Sequence, residues 1–232
     1  MGRGRFACKM QDTMASQHSE IVASVHSGEI EKIKALLQAN PSLASAKDER
    51  GVSALMHAYY RGRRDIAEVI LNSRTELDIF EAAASGRADT VSEILERDQT
   101  QAQAWSADGF TALHFAAFFN QPMVARELVR RGAEVATVSM NPMEVTPLHS
   151  AAAAHATEIV RMLVESEAPV NAKQHGGWTA LHAAADNGDL EMIKILLQNG
   201  ADRLAQNDDG KTPAQIAQLK GRDQALQLLS VA

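Results

Sequence analysis

Aromatic side chains are scarce in this chain: six Phe, two Tyr and two Trp among 232 residues, or 4%. A core with so few rings must be filled by aliphatic and small side chains, and alanine is abundant. Closely packed helices suit that inventory. Cysteine is nearly absent. Cys8 has no second thiol to pair with, so the fold does not depend on an oxidising compartment. Proline is sparse and no Ser/Gly-rich tract occurs, which argues against disorder in the body of the chain. No apolar run reaches the roughly 18 residues of a spanning helix, so no membrane insertion is expected. The first sixteen residues have a basic start without the apolar stretch of a secretory signal, and the cytoplasm is the expected location. Residues 1–18 are expected to form a flexible tail before a folded domain at 19–232.

An excess of positive charge is also missing. Lys and Arg number 23 against 29 Asp and Glu, a formal net charge of −6. Duplex binders usually carry a basic face, so no nucleic-acid partner is expected.

What is present is a repeat. TALHFAA from Thr111, TPLHSAA from Thr146, TALHAAA from Thr179 and TPAQIAQ from Thr212 start at spacings of 35, 33 and 33 residues. Between them run an apolar helix end, a Gly turn and a polar loop, as in KILLQNGADRLAQNDDGKTP. Each threonine stands where a hydroxyl can hold free N–H groups at a helix start. Pro147 and Pro213 follow it, where a missing N–H costs nothing. Leu113, Leu148 and Leu181 point inward. Small pairs such as Ala116–Ala117 allow close helix approach. Ile159, Val160, Leu163 and Val164 show the i, i+3, i+4 pattern of a second helix.

The chain resembles the ankyrin-repeat family on these residues, over nearly all of 19–232. The resemblance implies an all-α solenoid of about seven stacked helix pairs joined by short β-turn or hairpin loops. Counting back from Asn120, His155, Gly188 and Gly221 to Gly86, Gly62 and Gly28 places units at 19, 53, 77, 111, 146, 179 and 212. The irregular units resemble bacterial stand-alone members of the family. Two irregularities stand out. The Ser53 unit is only 24 residues long and should lack its hairpin. The linker before Thr146 carries two extra residues, with Met140, Pro142 and Met143 at or near a tip.

His114, His149 and His182 recur one repeat apart. A single zinc needs its ligands within about 2 Å of the ion, which that spacing does not provide. The resemblance instead gives these imidazoles a structural role, bonding the backbone of adjoining repeats with Thr111, Thr146 and Thr179 beside them. His57 falls one place out of phase. No catalytic set appears: HExxH, GxSxG and a Gly-rich phosphate loop are all missing. Asp108–Gly109 and Asp208–Asp209–Gly210 fit turns better than a calcium loop. No enzyme activity, metal or cofactor is expected.

The candidate binding residues break the surface pattern. Phe118–Phe119 occupies positions that the family turns toward its concave groove, where apolar rings are costly unless covered. The alternative is that one ring turns inward against Phe115 or Met123. Tyr60–Arg61 is an equivalent pair, of residue types common at interface hot spots. Trp105 sits at a loop tip, as do Met140 and Met143. Phe110 and Trp178 precede helix-start threonines and fit simple packing. The expected function is a non-catalytic protein-interaction module. The partner is a protein, with Glu49, Asp108 and Asp208–Asp209 favouring a basic surface on it. The alternatives are a regulatory or scaffold subunit, a small-ligand binder, a host-directed effector, and self-association through the phenylalanines.

Overall fold

A computed structural model describes residues 16–230 of the chain. The architecture is all-α. Its helices are α1 (residues 16–27), α2 (Ile30–Ala39), α3 (Ala54–Tyr60), α4 (Arg64–Leu71), α5 (Ile79–Ala84), α6 (Ala88–Arg97) and α7 (Ala112–Phe118). The others are α8 (Pro122–Arg130), α9 (Pro147–Ala153), α10 (Thr157–Glu165), α11 (Ala180–Asn187), α12 (Leu190–Gln198), α13 (Pro213–Leu219) and α14 (Asp223–Ser230). They form the seven expected helix pairs. Among the described residues there is no strand, only an isolated antiparallel bridge between Lys47 and Ser53. Residues 16–18, expected in the tail, are already helical. The rest of that expected tail lies outside the described residues.

The helix starts follow from the repeat chemistry. Ser53, Thr111, Thr146, Thr179 and Thr212 are extended, and the chain turns helical at the next residue. In the last unit Gln215 replaces histidine and still closes the reciprocal cap, accepting from the Thr212 N–H at 2.9 Å. The first helix of every pair ends in a left-handed residue: Gly28, Gly62, Gly86, Asn120, His155, Gly188 and Gly221. Glycine takes that conformation without a Cβ penalty, and asparagine tolerates it.

The chain divides into two compact units, Met1–Glu81 and Ala82–Ala232, and the division falls inside α5. In the first unit, α1 to α4 surround a core that includes Ile21, Val25, Ile33, Leu37, Leu43, Leu55, Ile66 and Ile70. In the second, the first helices α7, α9, α11 and α13 pack each on the next. The second helices α6, α8, α10, α12 and α14 do the same. Leu113, Leu148, Leu181 and the alanine pairs are buried between them, as their phase predicts.

The short Ser53 unit has no hairpin. After α4 the chain makes a turn and reaches α5 without a bridge. Arg74 braces this segment. It donates to the Ala44 carbonyl at 3.1 Å, to the Glu76 carbonyl at 2.9 Å, and to both Glu81 carboxylate oxygens at 2.9 and 2.7 Å. Glu81 is fully buried and also accepts from the Asp78 N–H, while Asp78 accepts from the Glu81 N–H. The helix start is therefore Asp78, one residue beyond the Leu77 expected by counting back, because α5 is shorter than α7.

Candidate functional site

The three repeated histidines hold backbone. Their Nε2 atoms donate to the carbonyls of Val145, Ala172 and Lys211, each at 3.0 Å and each belonging to the loop of the following unit. Their Nδ1 atoms accept from the N–H groups of Thr111, Thr146 and Thr179 at 3.2, 3.1 and 3.2 Å. Both ring nitrogens are occupied, so no lone pair is left for a metal. Among the described residues no group of His, Cys, Asp and Glu could hold a metal ion. Burial holds the His114 imidazole down to about 4. The same cause lowers His149 and His182.

Histidine thus ties each unit to the next loop, and the loop tips are tied to one another. Met140 N–H donates to the Gly109 carbonyl at 2.8 Å, His175 N–H to Met143 at 3.0 Å, and Asp208 N–H to Gly176 at 3.0 Å. Within each loop a second bond closes the turn: Ser106 to Phe110, Ser139 to Val145, Gln174 to Trp178 and Asn207 to Lys211. These bonds fix the register. The residues just before the turns are Trp105, Val138, Lys173 and Gln206, all exposed. The first two are apolar and the last two polar.

The two extra residues lie inside the Ser139–Val145 turn. Asn141 organises this wider tip. Its Oδ1 accepts from the Ser139 hydroxyl and the Met143 N–H, and its Nδ2 donates to the Asp108 carbonyl at 3.0 Å. Glu144 takes a left-handed conformation to return the chain. The result is a fixed platform with Met140 71% and Met143 52% exposed. Trp105, on the neighbouring tip, is 38% exposed.

The two phenylalanines separate. Phe118 is 48% exposed. Phe119 is half-buried and stacks on Phe115, with centroids 6.4 Å apart and planes 15° apart. The i, i+4 spacing from Phe115 puts it on that face. Phe118 meets it edge-on at 5.2 Å. Only one ring is therefore the open groove residue expected of both. Met123, the suggested inward partner, is itself exposed. Phe110 packs on Phe115 at 5.6 Å and Trp178 on His182 at 5.7 Å, so both are packing residues.

In the first unit, Tyr60 is 40% exposed at the end of α3, and Arg61 caps that helix. His57 lies one turn before Arg61 and is buried. Its Nε2 meets Asp48 Oδ2 at 3.0 Å and its Nδ1 meets His26 Nε2 at 3.1 Å. The out-of-phase histidine thus has a different task from the repeated ones. It links α3 to the loop before it and to α1. Sequence reading missed this triad, and also missed Val138, Met123 and Leu204 as exposed apolar residues. Aligning the loops by their turns, with Trp105 against Val138, is the signal that would have found Val138.

The outer surface of the second unit has a different character. Arg126 pairs with Glu158 at 3.2 Å and Arg161 with Glu191 at 2.8 Å, joining successive second helices. Arg131 reaches Glu96 and Glu127. This face is internally compensated.

Comparison with known proteins agrees with the geometry. Residues 79–174 and 168–231 match the family model for ankyrin repeats in three copies. An ankyrin repeat domain-containing protein of Stachybotrys chartarum, SAT10, is 30% identical over 178 residues, 75% of this chain and 9% of that protein. A transient receptor potential cation channel subfamily A member 1 homolog of Caenorhabditis elegans is 33% identical over 159 residues, 68% of this chain and 13% of its own length. Human protein phosphatase 1 regulatory subunit 27 is 34% identical over 86 residues, 37% of this chain and 56% of that protein. The chain thus spans only part of each relative. These relatives are fungal and animal, and nothing in them points to the bacterial origin that the irregular units suggested.

Proposed function

Because the chain belongs to the ankyrin-repeat family, a non-catalytic protein-interaction module, we propose that it grips a partner protein through the apolar loop tips of its second unit. Trp105, Val138, Met140 and Met143 supply the anchors there, and Phe118 on the inner helix α7 adds a ring, with Phe119 as its backing. The observation that carries this reading is the Asn141-centred tip. An insertion in a loop need only be polar, yet this one holds two exposed methionines on a tip fixed by eight hydrogen bonds. Rigid anchors lose little freedom on binding. Methionine adapts to irregular apolar surfaces. Asp108 and Glu144 lie in the same loops as the anchors, and Asp208–Asp209 on a tip further along the row, an acidic balance that favours a partner with basic residues around an apolar centre. Tyr60 and Arg61 are a separate contact in the first unit. The reading takes the cytoplasm as the compartment.

A second reading, a regulatory subunit of an enzyme, is supported by the likeness to a protein named as a phosphatase regulatory subunit. It uses the same contacts and differs only in what is held.

Affinity capture compares the wild-type protein with a folded Trp105→Ala, Met140→Ala, Met143→Ala, Phe118→Ala variant. Proteins retained by the wild type should fall at least about tenfold with the variant, the loss expected for removing central anchors. Equal retention would place binding elsewhere. Retention only of further copies of the chain would identify self-association.

A further inference from the structure

The methionines of the described residues divide by place. Met56 on α3 and Met192 on α12 are buried, and Met162 on α10 is half-buried. Met123, at the start of α8, is exposed. Met140 and Met143 are exposed together on one loop tip.

The fold makes no use of sulfur at that tip. Its hydrogen bonds run through the Met140 N–H, the Met143 N–H and carbonyl, the Asn141 side chain and the Ser139 hydroxyl. All of these are backbone or polar side-chain groups. The two thioethers therefore sit on a frame that does not depend on them. Apolar exposure alone does not call for methionine either, since Leu204 and Leu219 are equally open in the same unit. What methionine adds is a sulfur that a hydroperoxide can oxidise, with a susceptibility that follows exposure.

We propose that Met140 and Met143 are a paired oxidation site, at which a hydroperoxide turns the apolar platform polar and releases the partner. With hydrogen peroxide, a sulfur lone pair attacks one peroxide oxygen. The S–O bond forms as the O–O bond breaks. The departing hydroxide takes the proton from the transferred oxygen and leaves as water. Sulfur is oxidised by two electrons and the peroxide is reduced by two. The sulfoxide oxygen is a strong acceptor, and under an apolar partner surface it is buried without a donor. The backbone of the tip keeps its bonds in both states, so only the chemistry of the face changes. Met56 and Met192 are shielded, so the core survives a dose that converts the tip. This inference rests on the loop-tip reading and adds a control to it.

The test treats the full chain with graded hydrogen peroxide, then with dithiothreitol, which reverses thiol oxidation at Cys8 and leaves sulfoxides in place. Peptide mass spectrometry should find Met140 and Met143 converted before Met56 and Met192, with the urea midpoint unchanged. Affinity capture by the oxidised protein should fall about tenfold, as for loss of two anchors. Methionine sulfoxide reductases of both epimer specificities should restore it. Each variant is compared with itself before and after peroxide. Met140→Leu, Met143→Leu should show no change on treatment, and Met123→Leu should remain as sensitive as the wild type. Oxidation of the buried methionines first, or a midpoint that falls as the tip is converted, would overturn the proposal. So would a double-leucine variant that still loses its partner to peroxide. Equal capture by the reduced and oxidised wild type leaves the loop-tip reading standing and removes only this control. A reduced protein that captures nothing through the tip removes both.

Discussion

An imidazole that accepts a backbone N–H at Nδ1 and donates to a carbonyl from Nε2 has no place for a second proton. Protonating Nδ1 turns a donor against a donor and leaves a buried charge. This is the condition of His114, His149 and His182. Burial brings His114 down to about 4 from an ordinary 6.5. The unfolded chain therefore binds more protons than the folded chain between about pH 6.5 and pH 4. Stability is complete above that window, falls as the pH drops through it, and levels off below it. For His114 alone the loss is about 3 kcal/mol. Urea midpoints from pH 8 to pH 4 check this. His114→Gln should cost stability at pH 7, since the buried Val145 carbonyl loses its donor, yet fall less steeply on acidification. Gln215 already shows that glutamine can close the cap at this position. A midpoint independent of pH down to 4 would falsify the structural role of these histidines.

Among the elements, the chain uses two kinds of ion pair, and they should behave differently. Arg74 and Glu81 are buried together where the Ser53 unit has lost its hairpin, and they hold Ala44, Glu76 and the start of α5 in one arrangement. Glu81→Ala strands a buried guanidinium and should destabilise by about 3–5 kcal/mol. Arg74→Met combined with Glu81→Leu should recover part of that loss. Arg126 and Glu158, both exposed, should do little: Arg126→Ala leaves the urea midpoint nearly unchanged. If the two single variants are equally mild, the buried pair does not brace the short unit. The loop tips have their own constraint. A Cβ at Gly109 would lie 2.9 Å from the Met140 carbonyl carbon, at a φ of +81°. Gly109→Ala should cost about 1–3 kcal/mol and disturb the Met140 platform, read as a lower midpoint together with weaker partner capture. None of these elements was legible in equal measure. The cap threonines, the left-handed turn positions and the inward leucines follow from local chemistry repeated at a fixed period, so the sequence displays them. Arg74–Glu81 and Asp48–His57–His26 join residues far apart in phase, inside degenerate units, and no periodicity announces them.

Across the whole molecule, the same distinction governs how much of the candidate surface could be read ahead. Tyr60, Trp105, Phe118, Met140 and Met143 stand out because they violate the repeat, and all five are exposed. Phe119 does not follow suit, since its exposure depends on whether Phe115 offers a ring to stack on. The sequence pattern names a position's face but not how deep its side chain lies. Repeat architecture also predicts unequal stability along the unit, because each helix is held by the apolar side chains it buries against its neighbours. In the second unit, α10 buries Ile159, Val160, Leu163 and Val164, and α12 buries Met192, Ile193, Ile195 and Leu196. The last helix, α14, buries only Ala225 and Leu229. Hydrogen exchange followed by mass spectrometry should therefore show the slowest exchange in peptides from α10 and α12 and much faster exchange in α14. Partner binding at the loop tips before α7 and α9 should slow exchange at residues 105–110 and 138–145 and leave α14 unchanged. Equal protection along the unit would mean that it opens as one block rather than helix by helix. Protection of α14 on binding would move the partner's footprint away from the methionine platform.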